Sequence, residues 1–126
     1  MKKIIFTDKA PAPIGPYNQA VLSGDTLYMS GQIALDPATM ELLLSDIETE
    51  TRRVMENLKG VLEAADMTFE NVVKSTVFIT DMDNFGKVNA IYGTYFNEKT
   101  APARETVQVS VLPKNVNVEI SMIAVR

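Results

Sequence analysis

The 126-residue sequence contains no cysteine and no histidine. The missing cysteine excludes a disulfide, a thiolate nucleophile and a cysteine metal site. The missing histidine removes the usual general base, the usual zinc ligand and any Ser-His triad. If the chain is an enzyme, its chemistry must rest on the other polar side chains, backbone groups and water. We therefore expect an easy reaction, or one whose substrate is already reactive.

Long apolar runs and blocks of like charge are also lacking. No apolar run reaches the roughly 18 residues of a membrane span, and the start MKKIIF holds too few apolar residues for a signal peptide, so a cytoplasmic protein is expected. The net charge is -4, and without a basic stripe a nucleic-acid partner is not expected. The length and the 46% hydrophobic content indicate one globular domain over residues 1–126.

The first half of the chain predicts a short strand, a stiff loop, a hairpin and a long helix. KIIF opens a strand, and the proline-rich APAPIGPY favours an extended loop that ends at Tyr17. The turn residues SGD predict a hairpin whose second strand stops at Ser30-Gly31. Ser45-x-x-Glu48 is a capping-box pattern, and apolar residues at helical spacing follow it.

The second half mixes strands and a helix. The segment 72–80 is rich in β-branched residues and predicts a strand, and an apolar helix face follows Asp83. Two further strands are predicted over 104–112 and about 116–125. The order β-ββ-α-β-α-ββ predicts an α+β fold, a mixed sheet with two helices on one face. Several strands are apolar on both sides, so the other face is expected to meet another subunit.

The last two strands carry the first candidate site. If they form an antiparallel pair with matched apolar faces, Arg104 and Glu119 share one polar face, together with Thr106. A solvated cross-strand ion pair would explain that arrangement without any ligand. The residues alone therefore leave open whether Arg104 is a surface charge or the anchor of a site.

Other candidates are equally open on spacing alone. Asn89 lies on or near the apolar helix face, where its amide needs a partner from backbone or ligand. Tyr17 ends a stiff loop that could aim its ring into a site or pack it on the domain. Gly31, beside Ser30, would let a ligand approach the backbone, or only ends a strand. DMDNFG mimics the start of a calcium loop but lacks two ligand positions, so no metal is expected.

Nearly the whole chain, in order, resembles the RidA group of the Rid (YjgF) family, the reactive-intermediate imine deaminases. The segments that carry the resemblance are APAPIGPYNQAV, LYMSGQIALDP, NLKGVLEAADM, VVKSTVFITDMDNFGKVNAIYGTYF, APARETVQVSVLP and VEISMIAVR. The resemblance implies a chorismate-mutase-like fold and a homotrimer with clefts between subunits. It also implies hydrolysis, without a cofactor, of 2-imino acids (2-aminoacrylate and 2-iminobutyrate type) from pyridoxal-phosphate dehydratases to 2-keto acids and ammonia.

The resemblance further implies roles for single residues. Arg104 looks like the family arginine that grips the substrate carboxylate, which the planar guanidinium fork suits. Glu119 looks like the carboxylate that positions the attacking water, and Tyr17 like the pocket aromatic contributed across the interface. The positions that match the lining of the family pocket are Ser30, Gly31, Asn89 and Thr106.

Three residues depart from the family pattern, and two alternative functions stay open. Thr106 stands where relatives often have cysteine, Met40 where they usually have glycine, and Glu105, beside the arginine, where they have a small residue. Alternation predicts that Glu105 faces away from Arg104. The alternatives are a non-catalytic trimer that binds small carboxylates such as 2-keto acids and, against the acidic charge balance, an endoribonuclease or translation inhibitor.

Overall fold

The computed structural model describes residues 1–126 and contains a six-stranded mixed sheet and two α-helices. The strands and helices, in chain order, are β1 (Lys2–Ile5), β2 (Ala20–Ser23), β3 (Thr26–Gln32), α1 (Ile47–Ala64), β4 (Val72–Ile79), α2 (Phe85–Gly93), β5 (Ala103–Gln108) and β6 (Val118–Val125). Across the sheet the strand order is β1-β2-β3-β6-β4-β5, and β4 with β5 is the parallel pair. The predicted element order and α+β class are confirmed. Neither helix has both the length and the apolar character that a membrane crossing requires.

Helix α1 begins at a different cap from the predicted one. Asp46, not Ser45, is the N-cap residue, and its carboxylate accepts the Thr49 N–H at 2.7 Å. That bond and a second from the Thr49 hydroxyl lower the pKa of Asp46. The helix ends where Asp66 takes a left-handed φ of 57° and the Met67 N–H bonds back to the last turn at 2.9 Å. Local hydrogen bonds therefore set both ends of the element that covers the sheet.

Both helices lie on one face of the sheet, and the core forms there. Alternate residues of β4 and β6 that face the helices are buried, among them Val77, Ile79, Val118, Ile120 and Met122. The opposite face carries apolar side chains that are largely exposed in one chain, among them Ile4, Tyr28 and Val107. This open face fits the expectation of a partner subunit, which stays a prediction.

Strands β5 and β6 are not neighbours, so the predicted antiparallel pair between them is wrong. Strand β4 lies between them: Ser75 pairs with Arg104 on one side and Met122 on the other, and Phe78 pairs with Glu119. Paired residues point to the same face of a sheet, so Arg104 is on the helix-covered face and Glu119 on the open face. The expected common polar face does not exist, because α2 returns the chain parallel to β4 along the outer edge.

A buried carboxylate of α1 holds the start of β6. Glu50 is 0% exposed and accepts hydrogen bonds from the Asn117 N–H and side-chain amide, both at 2.7 Å, and from the Val118 N–H at 3.0 Å. All three partners are donors, so the carboxylate is satisfied without water. This contact joins α1 to the residue that directly precedes Glu119.

We predict that Glu50→Gln destabilises the fold by about 1–3 kcal/mol, because an amide sets its own N–H₂ against buried N–H donors. Urea denaturation measures the free energy of unfolding. Glu48→Gln, which alters a partly exposed carboxylate in the same first turn, is the matched control and should cost less than about 0.5 kcal/mol. Equal losses in the two variants would contradict the buried network.

Candidate functional site

Arg104 lies on the edge strand β5, against one face of α2. Its Nη1 donates to Asn89 Oδ1 at 2.6 Å. Its Cζ lies over two aromatic rings, 4.9 Å from the centroid of Tyr92 and 5.7 Å from that of Phe85. Both distances are in the cation–π range. The amide of Asn89, itself exposed, thus finds its partner in Arg104, and an open groove beside them continues along Gly93, Phe96, Glu98, Ala101 and Pro102.

The spacing of α2 explains this cluster, because residues three and four apart share a helix face. Phe85, Asn89 and Tyr92 follow that spacing. Tyr92 is buried, and its hydroxyl donates to Ser75 Oγ on β4 at 2.9 Å. Burial raises the pKa of Tyr92, with the bond to Ser75 and the charge of Arg104 acting in the opposite direction. The phenol therefore stays neutral beneath the guanidinium around neutral pH.

Glu119 belongs to a second pocket. It is half-buried, no protein group donates a hydrogen bond to its carboxylate, and burial raises its pKa. Tyr17 and Gly31 line the same pocket, whose remaining walls are Pro11, Ala12, Ile14, Gln19, Gln32, Ile33, Leu35 and Pro113. A carboxylate without a partner, beside an apolar wall, is suited to hold a water molecule and accept a proton from it.

Gly31 leaves the space that the Glu119 carboxylate occupies. The register between β3 and β6 shifts by one residue between Met29 and Gln32, which places a β-bulge at Ser30 and Gly31. A Cβ added to Gly31 would overlap the carboxylate of Glu119. The glycine therefore serves a close side-chain approach.

A buried glutamine fixes the loop that carries Tyr17. The side-chain amide of Gln19, 2% exposed, lies within 2.9–3.1 Å of the carbonyl oxygens of Thr7, Ala10 and Pro11, and its Oε1 accepts the Thr7 N–H. The Gln19 carbonyl in turn accepts the N–H of Ser30, whose hydroxyl donates to the Asn18 carbonyl at 2.6 Å. Ser30 therefore connects the loop to the bulge, while the Tyr17 side chain stays exposed.

Thr106 pairs with Val77, on the helix-covered face that Arg104 shares. Glu105 points to the opposite face, where it accepts a hydrogen bond from the Thr76 hydroxyl at 2.8 Å and forms an ion pair with Lys74 at 3.1 Å. These contacts lower the pKa of Glu105. The predicted orientation of Glu105 away from Arg104 is confirmed, so this acid does not compete for the guanidinium.

One chain does not bring the two groups together. Arg104 and Asn89 form one half-site, and Tyr17, Gly31 and Glu119, with Ser30 beside them, form the other. At ~3.3 Å per residue and ~4.8 Å per strand, the Cα atoms of Arg104 and Glu119 are about 14 Å apart, and their side chains leave opposite faces. No three acidic side chains converge on a possible metal site.

Three residues of this arrangement were missed by reasoning from sequence. Tyr92 was assigned only to an apolar helix face, although its position three residues after Asn89 was a usable signal. Gln19 and Glu50 carry no local signal, because their partners lie 8–12 and 67–68 residues away in the chain.

The profile of a family described as Endoribonuclease L-PSP matches residues 7–126. Among curated proteins, a RutC family protein of Pyrococcus horikoshii is 50% identical over 124 residues, 98% of each chain. The 2-iminobutanoate/2-iminopropanoate deaminase of Mus musculus is 48% identical over 126 residues, 100% of this chain and 93% of its own length.

Solved structures agree closely with the fold. RidA from an Antarctic Psychrobacter superposes with a TM-score of 0.94 at 43% identity, covering 98% of this chain and 99% of its own. TdcF of E. coli, solved with bound serine, superposes with a TM-score of 0.93 at 44% identity, covering 98% of both chains.

We predict that Gly31→Ala lowers turnover of the substrate proposed below at least tenfold, because the added methyl group displaces the Glu119 carboxylate, and a small misplacement of a reacting group is costly. The displaced atoms end a flexible side chain, so the free energy of unfolding should change by less than about 1 kcal/mol. Gly86→Ala, where a Cβ meets nothing within 4 Å, is the control. Wild-type turnover in Gly31→Ala would contradict this role of the glycine.

Proposed function

This chain belongs to the Rid (YjgF) family, and on that premise we propose that it hydrolyses 2-imino acids to 2-keto acids and ammonia. The proposed substrates are the 2-aminoacrylate and 2-iminobutyrate class that pyridoxal-phosphate dehydratases release. Such imines are already electrophilic, which suits a chain without histidine or cysteine. The predicted cytoplasmic location stays a prediction.

The separation of Arg104 and Glu119 is the observation that carries the proposal. A small imino acid cannot span about 14 Å and two faces of a sheet, so a complete site needs Arg104 of one copy and Glu119 of another. Arg104 lies on an edge strand and the open face carries exposed apolar side chains. Both features support the homotrimer with sites between subunits that the resemblance implies.

In the proposed complex the guanidinium of Arg104 binds the substrate carboxylate through two parallel N–H···O bonds. Asn89 occupies one nitrogen, Nη1, through a single acceptor oxygen, and guanidinium has five N–H donors in all. Four donors therefore remain for a carboxylate. Glu105, paired with Lys74 and Thr76, leaves the positive charge of Arg104 uncompensated.

Glu119 of the neighbouring copy would then act on water. The carboxylate accepts a proton as the water oxygen bonds to the imine carbon and the C=N electron pair moves to nitrogen, and Glu119 then passes that proton to the nitrogen. As the C=O bond of the resulting carbinolamine forms and its C–N bond breaks, Glu119 accepts the hydroxyl proton and gives it to the departing nitrogen, which leaves as ammonia. One water is consumed, and one keto acid and one ammonia are produced.

Two relatives support the substrate class. The mouse protein is named for the deamination of 2-iminobutanoate and 2-iminopropanoate, and the E. coli structure contains serine, a small 2-amino acid with the same carboxylate. The identities of 48% and 44% extend across nearly the whole chain. The mouse protein therefore supports imine deamination as the reaction, and the E. coli structure supports a small 2-amino or 2-imino acid as the ligand.

A coupled assay tests the proposal directly. A threonine or serine dehydratase generates the imine, and the rate of ammonia and keto-acid appearance is compared with and without this protein. We expect the rate to rise in proportion to added protein. Unchanged ammonia release, with 2-keto acid still bound, would favour the non-catalytic carboxylate-binding trimer instead.

The family description, Endoribonuclease L-PSP, is the observation that favours a second candidate, RNA cleavage. The net charge of -4 and the missing histidine weigh against it. RNA degradation that survives both Arg104→Ala and rigorous repurification would support this candidate.

We predict that Arg104→Lys impairs the enzyme nearly as much as Arg104→Ala. Lysine keeps the charge but loses the two-pronged geometry, so kcat/KM should fall tens-fold or more. Arg53, whose Nε donates to Asn57 Oδ1 at 3.0 Å on α1, offers a matched arginine–asparagine pair. Arg53→Lys should leave kcat/KM within about twofold. Near-native efficiency of Arg104→Lys would show that only a diffuse positive charge is needed.

We predict that Glu119→Gln lowers kcat by ~10²–10⁴-fold while 2-keto acid affinity changes little, because the amide fits the site but cannot accept a proton. The reaction needs the ionised carboxylate, and burial raises the pKa of Glu119. In a plot of wild-type kcat against pH, the acidic limb should therefore have its midpoint above the ordinary pKa range of glutamate. That limb should vanish in Glu119→Gln. A loss of affinity that accounts for the whole rate loss would show that Glu119 only supports the structure.

A further inference from the structure

Arg104 is exposed, yet its position is defined by groups on one helix. A long, exposed arginine side chain samples many rotamers, and ordering it on binding costs free energy. Asn89 restrains one end of the guanidinium through a 2.6 Å bond. One hydrogen bond at one nitrogen does not fix the plane of the group, so a second restraint is needed.

The ring of Tyr92 supplies a flat surface at the required place. The Cζ atom of Arg104 lies over this ring, 4.9 Å from its centroid. The ring itself cannot easily move: it is 6% exposed, its hydroxyl is bonded to Ser75 at 2.9 Å, and Phe96 packs against it at 4.8 Å between centroids. A guanidinium that rests its face on such a ring keeps its N–H edges free for a carboxylate in the same plane.

We propose that Tyr92 is a positioning residue that preorganises Arg104 for carboxylate binding, with burial and the packing of Phe96 holding the ring in place. Tyr92 does not touch substrate in this account; it acts only through Arg104. The inference rests on the proposed role of Arg104. It predicts that the aromatic face is required and the phenolic oxygen is not.

The chain offers a matched control for this test. Tyr95 lies three residues further along, is half-buried, donates its hydroxyl to Glu56 at 2.7 Å and packs on Phe69. Neither a hydrogen bond nor a cation–π contact joins it to Arg104. Tyr95→Leu therefore reports the general cost of removing a hydrogen-bonded tyrosine from this part of the fold.

Binding of 2-oxobutanoate, measured by calorimetry, gives the first readout. We expect about 3- to 30-fold weaker binding by Tyr92→Leu, the range that a lost cation–π contact implies, and binding within about twofold of wild type for Tyr92→Phe and Tyr95→Leu. Wild-type affinity in Tyr92→Leu would overturn the inference. Equal weakening in the Phe and Leu variants would also overturn it, because the ring face would then not matter.

The Nε–Hε signal of Arg104 in a ¹H–¹⁵N spectrum, assigned by its loss in Arg104→Lys, gives a readout that needs no ligand. We expect a ring-current shift in wild type that persists in Tyr92→Phe and is clearly reduced in Tyr92→Leu, where only the more distant ring of Phe85, at 5.7 Å, remains. A wild-type signal at the position of freely exposed arginines would overturn the inference even if Tyr92→Leu fails to fold. If the wild-type signal is shifted but the wild-type protein binds no 2-oxobutanoate, the proposed function of Arg104 is overturned. The contact between Arg104 and the Tyr92 ring would in that case stand.

Discussion

The β4–α2–β5 crossover is the constraint on which the site depends. A parallel return to β4 requires a long connection, and here the segment that contains α2 forms that connection. One face of α2 therefore meets Arg104 and supplies Asn89 and Tyr92 to it. The same crossover places β5 on the sheet edge and leaves β6 on the far side of β4. The arginine and the glutamate are thus separated by the topology itself.

The other half-site is built from a different set of restraints. Glu50 fixes the residues just before Glu119. Gln19 fixes the loop before β2, and that loop forms part of the pocket wall. Gly31 then leaves room for the carboxylate. The side chains of Glu50 and Gln19 are buried and hydrogen-bonded, whereas Glu119 is half-buried and unpaired. That contrast distinguishes the candidate reacting group from the groups that hold it.

Patterns along the chain predicted the elements better than their arrangement. Helical spacing, the turn at Gly24 and β-branched runs each reflect local preferences, so α1, the β2–β3 hairpin and β4 were predictable. Pairing is a long-range choice: the alternation of β5 and β6 is compatible with direct contact, and only the insertion of β6 between β3 and β4 excludes it. The residue identities at the site came from family resemblance, and their division into two half-sites came from the register.

Mixing two strongly impaired variants tests the central claim that one site draws on two copies of the chain. Arg104→Ala and Glu119→Gln are unfolded and refolded together at equal concentration, and deaminase activity is compared with each variant refolded alone. In a closed ring with random mixing, one copy supplies an intact Arg104 and its neighbour an intact Glu119 at about a quarter of the sites. The account predicts recovery of about a quarter of wild-type activity. No recovery, in oligomers shown by mass spectrometry to be mixed, would contradict a site shared between subunits.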